Sequence, residues 1–244
     1  MESVPLKQQT QTQVQIRVNN FVRSVYNWMA IGLALTGFMA YFVAHNESFL
    51  GLLFQVVDNQ LRPTMLFYGL IVGELALVFI LSSRVQKMQA STATAMFVLY
   101  AALNGATLSM IFLVYTNTSI VSTFFICAAT FVACSLYGWM TKRDLTSLGG
   151  FLFMGLIGII IASVVNMFIR SSAMHMIISY IGVFVFIGLT AYDTQHIKNM
   201  ALSQPDGLEA GVIRKGAILG ALKLYLDFIN LFLMLLRIFG GGRD

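Results

Sequence analysis

Gly216-Ala-Ile-Leu-Gly-Ala-Leu-Lys-Leu-Tyr-Leu-Asp-Phe-Ile-Asn-Leu-Phe-Leu-Met-Leu-Leu236 is an apolar run broken only by Lys223, Asp227 and Asn230. The hydrocarbon core of a bilayer is about 30 Å thick and takes roughly 20 apolar helical residues to cross. The run therefore reads as a membrane-spanning helix. Its three polar residues follow at i, i+4 and i+7, which places them on one helical face. A charge at the centre of a bilayer costs roughly 3 kcal/mol or more, so such residues face a partner or a water-filled path.

Working outward, six more stretches are long enough to span: Tyr26 to Val43, Thr64 to Ser83, Ser91 to Val114, Ser119 to Met140, Leu148 to Ile169 and Met174 to Tyr192. The composition agrees. Of 244 residues 58% are apolar and 10% charged, with a mean hydropathy of +0.79, whereas soluble domains are about 25% charged. A transmembrane barrel would show short alternating segments; these runs are continuous, and Pro5, Pro63 and Pro205 all fall before or between them. The expected fold is all-α, a polytopic bundle of seven transmembrane helices. It divides into a polar N-terminal segment (1–24), the helical domain (25–239) and a short C-terminal tail (240–244). Residues 1–20 are polar and lack the apolar core and cleavage site of a signal peptide. They are expected to fray in water or to run into the first helix.

Basic residues in the short connections set the expected orientation. Lys7, Arg17, Arg23, Arg84, Lys87, Lys142, Arg143, Lys198, Arg214 and Lys215 lie on one side; Arg62, Arg170, Arg237 and Arg243 lie on the other. The positive-inside rule then puts the N-terminus in the cytoplasm, of a bacterial inner membrane by the likeness given below. A pI near 9.3 reflects this asymmetry. No basic stripe interleaved with aromatics suggests nucleic acid as a partner. The longest connections, Ala44–Pro63 and Asp193–Lys215, hold no Walker loop, HExxH, CxxC or GxSxG. Neither enzymatic activity nor a cofactor is expected, and the partners are the lipid bilayer and whatever crosses it. Gly69 with Gly73, and Gly216 with Gly220, form GxxxG pairs that let helices approach closely.

The intramembrane polar residues carry the functional argument. Asp193 ends the sixth run in Gly188-Leu-Thr-Ala-Tyr-Asp-Thr-Gln195. Pro205-Asp-Gly207 is the strongest turn signal in the following connection, so the sixth helix can continue to about Leu202. A hairpin pivoting there brings Asp193 and Asp227 to comparable heights. Two carboxylates that close cannot both ionise freely. They form either a proton-sensitive latch or a divalent-cation site, with Ca²⁺ as the candidate metal. Lys223 either neutralises Asp227 or, with Asp227 and Asn230, lines an ion path. Glu74 lies mid-span in the second run, divided between a functional and a hydrogen-bonded structural role. Arg84, at the end of that run, is a positive-inside anchor or a partner for Asp193. Asn104 and Asn166 are expected to bridge helices, and His175 to sit at the interface.

Thr190-Ala-Tyr-Asp-Thr-Gln195 and Leu224-Tyr-Leu-Asp-Phe-Ile-Asn-Leu-Phe232 closely resemble the Bax inhibitor family of membrane proteins. The likeness to its bacterial branch extends through Tyr26-Asn-Trp-Met29 and Thr141-Lys-Arg-Asp-Leu145. The resemblance implies that the seventh helix lies near the centre of the other six. It also implies a pH-sensitive calcium leak governed by a hydrogen-bonded aspartate pair at the positions of Asp193 and Asp227. It further implies a basic latch, for which Arg84 is the candidate, and an acid in the second span, matched by Glu74. Calcium is then cargo, and protons the signal. Deprotonation of the pair would add repulsion unless Arg84, Lys223 or Ca²⁺ compensates, and the seventh helix could shift to open a path.

Rival readings have weaker signals. An intramembrane aspartyl protease would carry Gly-x-Gly-Asp where Leu224-Tyr-Leu-Asp227 stands, and a retinal protein would need an acidic counter-ion in the third run, which has none. The serious alternative is a non-conducting regulator that binds a protease or another membrane protein.

Overall fold

A computed structural model describes residues 6–57, 60–205 and 207–242. Pro5, Asp206, Arg243 and the outermost parts of the polar segment and the tail lie outside the described residues. Nine helices and one hairpin make up the described chain: α1 (Leu6–Ala44), α2 (Glu47–Leu53), β1 (Phe54–Val57), β2 (Gln60–Pro63), α3 (Met65–Arg84), α4 (Ala90–Leu108), α5 (Ile111–Val114), α6 (Asn117–Met140), α7 (Thr146–Ile169), α8 (Ser172–Leu202) and α9 (Ala210–Phe239). A short 3₁₀ turn, Val85–Lys87, follows α3. Seven of the helices are long and apolar enough to cross a membrane: α1, α3, α4 with its continuation α5, α6, α7, α8 and α9. The protein is an all-α polytopic membrane protein.

The polar start does not fray over the described residues. It belongs to α1, because Val18, Phe21, Val25 and Met29 recur at helical spacing and are all buried. Side-chain oxygens of Thr64, Thr116 and Ser171 accept from the backbone amides of Phe67, Ser119 and Met174 and cap α3, α6 and α8.

Three expectations need correction. The third run is not one helix: α4 stops at Leu108 and α5 restarts at Ile111. The Ser109 hydroxyl donates back to the carbonyl of Ala106 at 2.7 Å, which competes with the helical ladder. The connection Ala44–Pro63 is α2 plus an antiparallel hairpin pairing Phe54 with Pro63, in keeping with its β-branched Val56-Val57. Finally, Gly69 and Gly73 make no helix crossing, since a Cβ on either would meet nothing within 4 Å.

Other small residues do set the crossings. A Cβ on Gly138 would fall onto the carbonyl of Ala191, so α6 and α8 touch backbone to backbone there. At Gly105 a Cβ would come within 2.5 Å of the Thr36 carbonyl, fixing α4 against α1. Gly216 and Gly220 receive Phe21 and Val25 of α1. Close backbone approach of this kind replaces the hydrophobic drive that lipid abolishes. α9 is the centre: 72% of its most apolar window is buried, against 11–39% for the other spans. It packs on α1, α4, α6 and α8, while α3 leans on α4 and α7 on α8. α8 runs to Leu202, as the turn at Pro205–Gly207 predicts, and Gly207 takes the left-handed φ of +80° that the turn requires.

Candidate functional site

Because α8 continues past Tyr192, Asp193 lies inside the helix rather than at its end. It is 8% exposed, and Asp227 on the neighbouring α9 is 4% exposed. Their carboxyl groups are within hydrogen-bonding reach of each other. A bond there requires a proton on one of them, because an ionised carboxylate only accepts. Oδ2 of Asp227 is buried, and no donor reaches it among the described residues. One proton shared between the two carboxyl groups would bridge them.

The cation beside the pair is Lys223. Its Nζ donates to Oδ1 of Asp193 at 3.4 Å, with the lysine side chain 38% exposed. The lysine thus reaches across from α9 to α8 instead of neutralising Asp227 one turn along its own helix. Arg84 is not brought to the site: it is exposed and makes no hydrogen bond or ion pair among the described residues. Its place at the end of α3 explains this, since α3 packs chiefly on α4. Asn230 donates to the carbonyl of Leu226 at 2.8 Å and so turns onto its own helix. No third His, Cys, Asp or Glu joins the two aspartates among the described residues.

Residues the sequence did not single out hold the pair in place. The amide of Gln195 spans to the preceding loop: Oε1 accepts from the Leu145 N–H and Nε2 donates to the Arg143 carbonyl, both at 2.8 Å. The Thr141–Leu145 and Thr190–Gln195 strings are therefore one structural unit. Thr194 contacts Tyr26 of α1 at 3.2 Å and Ser135 of α6 at 3.4 Å. His196, the next residue after Gln195, lies within electrostatic reach of Lys223 and Asp193. Gln195 stands two residues after Asp193 in the same string, but its role depends on a loop fifty residues earlier.

Glu74 forms a separate site. Thr107 donates to its Oε1 at 3.0 Å and Asn104 Nδ2 to its Oε2 at 3.3 Å. Tyr225 of α9 donates to Asn104 Oδ1 at 3.1 Å and contacts the Thr36 hydroxyl at 2.7 Å. This chain of neutral groups ties α3, α4, α9 and α1 together.

Residues 18–244 match the family described as "Inhibitor of apoptosis-promoting Bax1". The chain belongs to the Bax inhibitor family. Among its relatives in that family is the inner membrane protein YbhL of Escherichia coli, 52% identical over 226 residues that cover 93% of each chain. An uncharacterized protein of Borreliella burgdorferi is 45% identical over 96% of this chain and 98% of its own. An uncharacterized membrane protein of Streptococcus pyogenes is 40% identical over 94% and 96% respectively.

Proposed function

We propose that this Bax inhibitor family member is a pH-sensitive leak for calcium, or another small cation, in a bacterial inner membrane, with its N-terminus in the cytoplasm. The observation that carries the reading is the buried Asp193–Asp227 pair, with one ammonium beside it and one carboxyl oxygen lacking a donor. With one shared proton and Lys223 the site is electrically balanced. Loss of the proton leaves two like charges against one cation, and the excess negative charge acts on α9, the most buried of the spans. Lys223 and His196 are the other titratable groups within electrostatic reach of the pair among the described residues, so the pH response belongs to the cluster and not to one residue.

Two carboxylates without further ligands are too few for a resident Ca²⁺, which takes 6–8 oxygens. They suit a cation in passage. The test is calcium entry into proteoliposomes containing the purified protein, followed from mildly acidic to mildly alkaline pH. Flux that changes with pH in the native protein and is flat in Asp193→Asn and Asp227→Asn supports the reading. Pure protein that conducts nothing at any pH would shift it to the non-conducting regulator of another membrane protein.

A further inference from the structure

At the opposite end of the bundle, about 30 Å along α8 from Asp193, the ends of α7 and α9 and the start of α8 line an open cavity of about 610 Å³. Asn166, Arg170, Ser171, Ser172, His175 and Arg237 contribute to its wall, and no carboxylate does. Arg170 is exposed and Arg237 half-buried, and among the described residues no acid lines the cavity with them, so their charge is unbalanced there. Guanidinium groups in partly buried positions are normally matched by a carboxylate or a phosphate.

Each donor is left available. Arg237 is half-buried, and its only hydrogen bond among the described residues is a weak one to the Met234 sulfur at 3.9 Å. Asn166 is 8% exposed; its Oδ1 accepts from the Ser171 N–H at 3.0 Å, and its amide protons have no acceptor among the described residues. The first turn of α8 opens on the same cavity and brings to it the positive end of a 31-residue helix, with the Met174 N–H already capped by the Ser171 hydroxyl.

The backbone adds an independent observation. Arg170 closes α7 with φ at +54°, the one non-glycine residue of positive φ among the described residues. Helix ends of this geometry usually carry Gly or Asn. A long cationic side chain held in a disfavoured conformation points to use of that side chain.

We propose that this cavity binds a phosphate-type oxyanion, gripped by Arg170, Arg237 and the Asn166 amide over the N-terminus of α8. The anion is either free phosphate or the headgroup phosphate of an anionic lipid, since the cavity lies at a membrane-facing end of the bundle. This proposal stands apart from the leak reading and is tested without any flux measurement.

Thermal unfolding of the purified protein in neutral detergent is followed with inorganic phosphate, and separately with short-chain phosphatidylglycerol, at matched ionic strength. A ligand that binds the folded state raises the midpoint in a saturable way. A rise with inorganic phosphate identifies a free-anion site; a rise with the lipid alone identifies a headgroup site. Arg237→Gln and Arg170→Gly should each weaken the effective ligand roughly tenfold, the worth of one charge-assisted hydrogen bond. Arg170→Gly also relieves the backbone, so its midpoint without ligand should equal or exceed that of the native protein, which separates lost binding from lost folding. No rise with either ligand, or an equal rise in both variants, overturns the proposal.

Discussion

Glu74 and the Asp193–Asp227 pair are both buried acids beside the same central helix, and the bundle treats them in opposite ways. Glu74 receives two neutral donors from α4, and a tyrosine of α9 completes the network behind it. The aspartate pair receives one long contact from a half-exposed lysine, and one of its oxygens receives no donor. A carboxylate with its donors in place locks helices together. One that lacks them depends on protons and cations that come and go. On the proposed reading, the difference separates a fastening from a switch.

The sharpest way to break that distinction is to neutralise each acid in turn. Asp227→Asn carries the charge of the protonated acid at every pH, so its calcium flux should be flat with pH and equal to the acidic limit of the native protein. Glu74→Gln should leave the pH response intact. A flat profile in Glu74→Gln would erase the distinction. Next in size is Lys223→Met, which leaves Asp193 without its cation. After discounting for the exposed lysine, we expect a loss of about 1–2 kcal/mol, read by thermal or denaturant unfolding. The loss should shrink when Asp193→Asn is added, because the charge left unpaired is then gone.

Tyr225→Phe removes the hydroxyl linking α9 to Asn104 and Thr36. Hydrogen bonds between membrane helices average about 0.6 kcal/mol, and this one serves two partners, so about 1 kcal/mol of destabilisation is expected with the pH response of flux retained. The smallest effect lies in the loop that Gln195 holds. The hydroxyl and the amide of Thr146 donate to Asp144 and hold its carboxyl below the usual carboxylate range. A lowered folded-state value adds stability above the unfolded titration range, lost as pH falls through the folded value. Asp144→Asn should therefore lower the unfolding midpoint slightly at neutral pH and leave it unchanged in strong acid.

The spans and the reach of α8 to Leu202 were legible in the chain, because each depends on local composition or on a turn signal. The cation partner was not. Arg84 and Lys223 are both basic residues near one end of the bundle, and only the packing of α3 on α4 removes the first from reach. Glu74 was legible as a buried acid, but its donors come from the next span, so its structural role was not. The two GxxxG pairs are identical as strings, yet Gly216 and Gly220 meet α1 while Gly69 and Gly73 face open space.

The sequence by itself determined that this is a seven-span helical membrane protein with costly carboxyls in its last two spans. That follows from the free energy of placing apolar and charged groups in hydrocarbon, which each residue settles largely alone. Only the tertiary structure decided that Lys223 faces Asp193, that Gln195 clamps the loop, and that Arg170 and Arg237 meet across one cavity. Those are contacts between helices in lipid, where packing shape and hydrogen-bond geometry choose the partners, and no single segment carries that information.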